Sequence, residues 1–339
     1  MTGEDADPRE SEHHPRRRIA LHGHEPVEQM LLSQYKSGRM HHGWLLSGPR
    51  GIGKATLAYR LARFILQFPD SPSAGHASSL HVPAESAVAH QIAAGAHPDL
   101  LVVERRFDPK TGRVKGEIAV DDARRAGEFF GHTAGAGGWR VLIVDTADDL
   151  NAESANALLK TLEEPPERSL IILVGHQPRL LLPTIRSRCI EIRFGPLSER
   201  QTMAVLKEIC PHGKNLERAA VLSRGSPGRA LEIMTSSGAK AFETLAQCLG
   251  RHVAVDFETR LAIADSFQGR GTGEDFAIFS ELLLAWTGEA ARAAAIAGKG
   301  ARLARAHDAI AYSIRLTDAL NLDRRQTVLD ALSVLEDAA

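Results

Sequence analysis

The sequence predicts an α/β domain on a parallel sheet, followed by a small helical domain and an all-α C-terminal domain. Three observations predict it. The apolar pair Leu45-Leu46 leads into a glycine-rich turn, Ser47-Gly48-Pro49-Arg50-Gly51-Ile52-Gly53-Lys54, and a helical period begins at Leu57. Apolar runs alternate with helical patterns over residues 44–194, as strands and crossover helices of a parallel sheet do. After Pro196 no strand pattern recurs.

Composition narrows the class. A chain of 339 residues has material for two or three domains. Its 43% hydrophobic and 24% charged residues suit a globular protein. Formal net charge is −1, so no global field draws it to nucleic acid or to a membrane, and any DNA contact must be local. The three cysteines, Cys189, Cys210 and Cys248, fit neither a disulfide framework nor a zinc module. Without a leader pattern or an apolar run of about 18 residues, the expected address is the cytoplasm.

In order, residues 1–18 combine acidic residues, His, Pro and Arg16-Arg17-Arg18 with few apolar ones, and read as a disordered tail. Val27, Met30, Leu31 and Tyr35 predict a helix over 25–37, stopped at Gly38. His41 and His42 are expected on opposite faces of an extended segment, which argues against a metal site. A strand at 44–46 enters the glycine turn. The next helix, with Leu57, Leu61, Phe64 and Ile65 on one face, ends near Pro69. Residues 70–96 are rich in Ser, Ala, Pro, His and Gly and read as an irregular, loosely packed insertion with a weak helix at 87–92. Their scattered histidines lack the spacing of a zinc site.

A short strand follows at 99–104, then a turn at 108–112, an edge segment around 117–120 and a helix from Asp121 to about 133. Residues 135–138 break the chain. Val141-Leu142-Ile143-Val144-Asp145 reads as a buried parallel strand ending in a carboxylate. An amphipathic helix over 151–164 stops at Pro165-Pro166, a buried strand covers 169–174, and an alternating strand covers 190–194. Helices fill 198–234, and five more are expected at 239–248, 255–265, 275–297, 301–320 and 324–336.

The chemistry concentrates in two stretches. In a phosphate-binding loop the glycines let backbone N–H groups curl around phosphate oxygens, and the lysine reaches the same anion. The candidate binding residues are Gly48, Pro49, Arg50, Gly51, Ile52, Gly53, Lys54, Ala55 and Thr56, with Asp145 as the carboxylate at the ligand-bearing edge of the sheet. Ala55 stands where a Ser or Thr hydroxyl would bind magnesium. Thr146 stands where a water-activating Glu would follow Asp145. Asp148 is the nearest carboxylate, with a structural role expected near the next helix start.

These stretches, with Leu158-Leu159-Lys160-Thr161-Leu162-Glu163-Glu164-Pro165-Pro166 and Ser187-Arg188-Cys189, resemble the clamp-loader branch of AAA+ proteins. The resemblance covers roughly residues 19–194 well and is looser beyond. It implies an AAA+ P-loop domain at 19–196, a helical lid at 197–234 and an all-helical oligomerisation collar at 235–339. It also implies a subunit of a replicative DNA polymerase holoenzyme, sharing a hetero-oligomeric ring with motor and delta-type subunits. Through that ring it would act on a sliding clamp and primer-template DNA.

The matching positions make Arg188 an arginine finger acting on a neighbour's ATP, which suits its fixed charge and forked donors. ATP is the implied cofactor of the loop, with Mg2+ only alongside nucleotide and no zinc. Departures at Ala55, Thr146, Gly175-His176, where a sensor threonine is often carried, and Gly228, where the second-sensor arginine would fall with Arg229 one place beyond, point to a subunit with little or no ATPase activity of its own. Two alternatives stand beside it: an active AAA+ motor subunit of the same loader, and an unrelated P-loop kinase, which leaves Ser187-Arg188-Cys189 unexplained. The plain alternative for Arg188 is a structural pair with Glu191, and for Cys189 a small buried hydrophobe.

Overall fold

Glu25–Lys36 forms the first helix, α1, with Pro26 in its first turn, where a missing N–H costs no hydrogen bond. It leads to β1 (Gly43–Ser47) and α2 (Lys54–Gln67). The chain continues through α3 (Ala87–Ala93), β2 (Leu100–Glu104), β3 (Phe107–Asp108), β4 (Arg113–Val114) and α4 (Val120–Gly131). Next come β5 (Arg140–Asp145), α5 (Ala152–Glu163), β6 (Ser169–Gly175), α6 (Pro183–Arg186), β7 (Ile190–Arg193) and α7 (Glu199–Ile209). The structure is a computed structural model that describes residues 7, 9, 11–70, 74–131, 138–213, 216–250, 255–269, 271–296 and 300–338. They divide into two units: Met1–His212 with Arg224–Arg229, and Gly213–Ser223 with Ala230–Ala339.

In the first unit five strands form one sheet in the order β2-β5-β6-β1-β7, every neighbouring pair parallel. β1 and β6 are buried throughout, as expected of parallel strands covered on both faces. Period-two alternation sorts their side chains. Leu46, Val141, Ile143, Leu170, Ile172 and Val174 join Leu57, Leu61, Phe64 and Ile65 of α2 in one core. Leu45, Leu142, Val144, Ile171 and Leu173 join Ala126 and Phe130 of α4 and Leu158 and Leu162 of α5 in the other. The predicted parallel sheet is therefore present, and helices cover both its faces.

Local differences have clear causes. No strand forms at 117–120: Ile118 makes one parallel bridge to Leu150, and Val120 already opens α4. The predicted turn at 108–112 is present and joins a short antiparallel hairpin of β3 and β4 that the sequence reading did not include. Nor are the described residues of the 70–96 segment, 70 and 74–96, loosely packed. Ala74, Leu80, Val82 and Ile92 are buried in the α2-side core, and irregular backbone hides that role because its apolar residues follow no period. Side chains of α1 bind its backbone: Gln29 Nε2 donates to Ser78 O at 2.8 Å and Lys36 Nζ to Gly75 O at 3.0 Å. The buried Glu28 carboxylate accepts from Leu80 N at 2.7 Å and from Arg60 Nη2 at 2.9 Å.

The expected tail at 1–18 lies partly outside the described residues. Within its described part, Pro15–Arg17 form a 3-10 turn, and Arg63 Nη2 of α2 donates to the carbonyls of Arg16 (3.1 Å) and Arg18 (2.8 Å). The rings of His41 and His42 lie 4.3 Å apart rather than on opposite faces. His41 Nδ1 faces Gly43 O at 2.8 Å and His42 Nε2 faces Leu162 O at 3.2 Å, so backbone carbonyls engage both.

The second unit is helical, with α8 (Leu216–Leu222), α9 (Pro227–Thr235, whose residues 227–229 belong to the first unit), α10 (Ser237–Gly250), α11 (Phe257–Asp265), α12 (Gly273–Ile296), α13 (Ala301–Leu320) and α14 (Arg324–Ala338). Its core includes Phe242, Leu245, Phe267, Phe276, Phe279, Ile310 and Leu332. Among the described residues no helix is long and apolar enough to cross a membrane.

Glu28 joins α1, α2 and the irregular segment through buried bonds. Replacing it by Ala removes the carboxylate paired with Arg60 Nη2 and strands the Leu80 N–H, while Arg60 Nη1 keeps its bond to Ile19 O. Glu28→Ala is expected to lower the unfolding free energy by about 3–5 kcal/mol in denaturant titration. A loss below about 1 kcal/mol would show that water replaces the carboxylate.

Candidate functional site

The glycine turn joins the C-terminal end of β1 to the N-terminus of α2, and its backbone requires glycine. Gly51 and Gly53 adopt φ of +76° and +104°. A Cβ on Gly48 would stand 2.4 Å from Phe194 O, and one on Gly51 would stand 2.5 Å from Ser226 Oγ.

Protein donors engage the loop's carbonyls in succession. Lys54 Nζ donates to Gly48 O at 2.7 Å and to Pro49 O at 2.6 Å. Ser226 Oγ donates to Arg50 O at 2.7 Å and Gly228 N to Gly51 O at 2.9 Å. His24 Nε2 bonds Ile52 O at 2.7 Å. In a trans peptide the N–H lies opposite its carbonyl, so carbonyls held by protein leave the N–H side of the turn to an anion. Gly228 approaches so closely that a Cβ there would stand 2.7 Å from Gly51 Cα. The position of the expected second-sensor arginine is thus a backbone contact with the loop.

Asp145 ends β5, separated from β1 in the sheet by β6 alone, so the loop and this carboxylate share one edge about 10 Å apart. Burial pushes the Asp145 carboxyl up to about 6, against the pull of Lys54. Burial brings the Lys54 ammonium down to about 8, with Asp145 and Asp148 opposing the shift. The two form a desolvated opposite-charge couple.

Sequence reasoning missed Glu104. It ends β2 directly beside Asp145 in the strand register. Burial, then the Asp145 charge, pushes its carboxyl up to about 7, while Arg9 approaches it at 3.8 Å. The available signal was that residues 100–104, like 141–145, are an apolar strand ending in a carboxylate.

Ala55, Thr146, Asp148 and His176 all make structural contacts around the loop. Ala55 packs against the α2-side core. Thr146 Oγ1 donates to Asp149 Oδ2 at 3.0 Å, and Asp149 pairs with Arg105 at 2.9 Å. The Asp148 carboxylate accepts from Gln177 N at 2.9 Å and from His176 N, so both its oxygens tether the loop after β6. Burial and the Lys54 charge bring His176 down to about 4, leaving a neutral imidazole near the loop.

Arg188 lies elsewhere. It follows α6 and precedes β7, whose Ile190 aligns with Trp44 at the start of β1. The loop begins after Ser47, so β1 separates the two along the strands by roughly 15 Å. Arg188 is at the N-terminal edge of the sheet, and the loop with Asp145 is at the C-terminal edge. Its partner is not Glu191, which accepts from Ser47 Oγ at 2.7 Å and pairs with Arg193 at 3.2 Å. Arg188 Nη2 pairs with Glu163 Oε1 at 2.7 Å, and Nη1 donates to Thr184 O at 2.9 Å. Cys189 is half-buried against the second core, and burial pushes its thiol up to about 12.

A five-stranded parallel sheet with a phosphate-type loop after β1 and an acidic β5 across one intervening strand defines an α/β P-loop protein of the AAA+ kind. The crystal structure of a DNA polymerase III, gamma subunit-related protein from Thermotoga maritima shares this fold, with a TM-score of 0.50 at 19% identity, covering 90% of this chain and 98% of that one. Residues 23–198 match the family model described as DNA polymerase III, delta subunit, and the chain belongs to that family. It is 36% identical over 231 residues to DNA polymerase III subunit delta' of Escherichia coli K12, covering 67% of this chain and 65% of the relative. It is 37% identical over 205 residues to subunit delta' of Pseudomonas aeruginosa, covering 60% and 58%. The match spans less than two thirds of either relative.

The Glu104 carboxyl ionises near 4.5 in an unfolded chain and near 7 here. Above about pH 4.5 the unfolded chain releases this proton first, so stability falls with rising pH until the folded carboxyl also ionises. Glu104→Gln is expected to raise the unfolding free energy by about 1–3 kcal/mol at pH 8, with most of the gain gone at pH 5. Denaturant titrations at both pH values check this, and an equal effect at both would remove the assigned ionisation.

Proposed function

We propose that this chain is a clamp-loader subunit of the delta' kind that supplies Arg188 to ATP bound on a neighbouring subunit and itself hydrolyses little or no ATP. The observation that carries this reading is the placement of Arg188 at the sheet edge opposite its own glycine loop. An arginine so placed can serve nucleotide on another chain more readily than its own. Trans-acting arginines neutralise charge on the transferring phosphoryl group and are worth ~10³–10⁵ in rate.

The loop retains the glycine geometry and lysine to hold phosphate through residues 48–56, with ATP as ligand and Mg2+ present only alongside it. Ala55 offers no hydroxyl to that ion. Thr146 is no base at neutral pH, and Asp148 is committed to two backbone N–H groups. These points weigh against an active motor subunit. In this reading residues 197–234 form a helical lid, and residues 235–339 form a collar that joins the motor and delta-type subunits. Through that hetero-oligomeric ring, in the cytoplasm, the chain would help set a sliding clamp on primed DNA as part of a replicative polymerase holoenzyme.

In a loader reconstituted with motor subunits, Arg188→Ala is expected to cut clamp- and DNA-stimulated ATP hydrolysis by about 10³-fold at the site it serves. An unchanged rate rejects the finger. ATP turnover by the purified chain, abolished by Lys54→Ala, would establish the motor reading instead. Equilibrium titration with nucleotide, with and without magnesium, tests the loop itself.

A further inference from the structure

Arg188 is held by groups from two different helices. Nη1 donates to Thr184 O at 2.9 Å and lies 3.5 Å from Ser187 Oγ, and Nη2 pairs with Glu163 Oε1 at 2.7 Å. Glu163 is the last residue of α5, and its own helix does not favour it there, because a carboxylate at a helix C-terminus opposes the helix dipole. The pair is also poorly placed to stabilise the fold: the side chains are 34% and 47% exposed, and exposed ion pairs contribute little.

The surroundings are nonetheless tightly packed. A Cβ on Gly43 would meet Arg188 O at 3.0 Å, Cys189 Sγ at 3.3 Å and Leu162 Cδ2 at 3.4 Å. Gly43 thus sits between the end of α5 and the Ser187-Arg188-Cys189 turn. An acid that is disfavoured by its helix and contributes little to stability is best explained by what it does to the arginine.

We propose that Glu163 is the positioning residue for Arg188. Its carboxylate and Thr184 O each take one N–H from the two terminal nitrogens, which fixes the guanidinium plane. Arginine carries five such donors, so others stay available at the N-terminal edge of the sheet for an anionic group on a neighbouring chain. A guanidinium held in one orientation loses less freedom when it meets phosphate than a swinging one. This rests on the trans-finger reading and adds the residue that aims the finger.

The test is a double-mutant cycle in the reconstituted loader. Glu163→Ala should lower kcat of stimulated ATP hydrolysis by about five- to thirty-fold with KM little changed, and Glu163→Gln, which keeps an acceptor, should lose less. In an Arg188→Ala background, Glu163→Ala should change the rate by less than about two-fold. A full effect in that background, or none in the wild-type background while Arg188→Ala is defective, overturns the proposal.

Phenylglyoxal modification of Arg188 in the full chain, followed by mass spectrometry, reads the pair without any activity. Faster modification in Glu163→Ala upholds the positioning, and an unchanged rate overturns it. If Arg188→Ala leaves hydrolysis unaffected, the finger reading fails, and the modification rate still decides whether Glu163 holds the arginine.

Discussion

Every strand of the sheet runs the same way, and most of the molecule's functional geometry follows from that. Parallel strands cannot be joined by hairpins, so each connection crosses a face of the sheet and covers it. The sheet is therefore buried on both sides, between the core around α2 and the core around α4 and α5. Common direction also makes the two edges chemically unlike. The C-terminal edge gathers the glycine loop, Glu104 and Asp145, while the N-terminal edge gathers Gly43, the end of α5 and Arg188.

At the first edge the loop depends on its surroundings as much as on its glycines. His24 from before α1, Ser226 and Gly228 from the turn opening α9, and the loop's own lysine hold its carbonyls. Gly228 makes a backbone contact with the loop that leaves no room for a Cβ. Thr146 and Asp148 are likewise engaged by local structure. Ala55, Thr146 and Asp148 thus shape this edge through packing and hydrogen bonds, and burial shifts both Lys54 and Asp145 toward their neutral forms.

The elements legible in the sequence are those whose signal is local. Period-two and period-3.6 patterns located the long strands and helices, and a glycine-rich spacing located the loop. Within 74–96 the helix is legible but the packing is not, because Ala74, Leu80 and Val82 are buried one at a time from irregular backbone, supported by Glu28, Gln29 and Lys36 of α1. Periodicity cannot report such contacts. Glu104 was passed over because a carboxylate ending one strand gains meaning only beside a second, and that neighbour relation is set by sheet order.

By itself, the sequence determined the α/β class, the glycine loop, the absent hydroxyl at Ala55 and the absent acid at Thr146, because each is a matter of residue type or short spacing. Tertiary structure decided which acid meets Arg188: sequence proximity favours Glu191, three residues away, but β7 turns that carboxylate to Ser47 and Arg193. Glu163, far off in the chain, arrives because α5 ends beside Gly43, which the Leu162 side chain and the Arg188 carbonyl both approach closely. The tertiary structure also decided that Arg188 and Lys54 stand at opposite ends of β1. Strand direction and order create that separation, and no motif in the sequence encodes it.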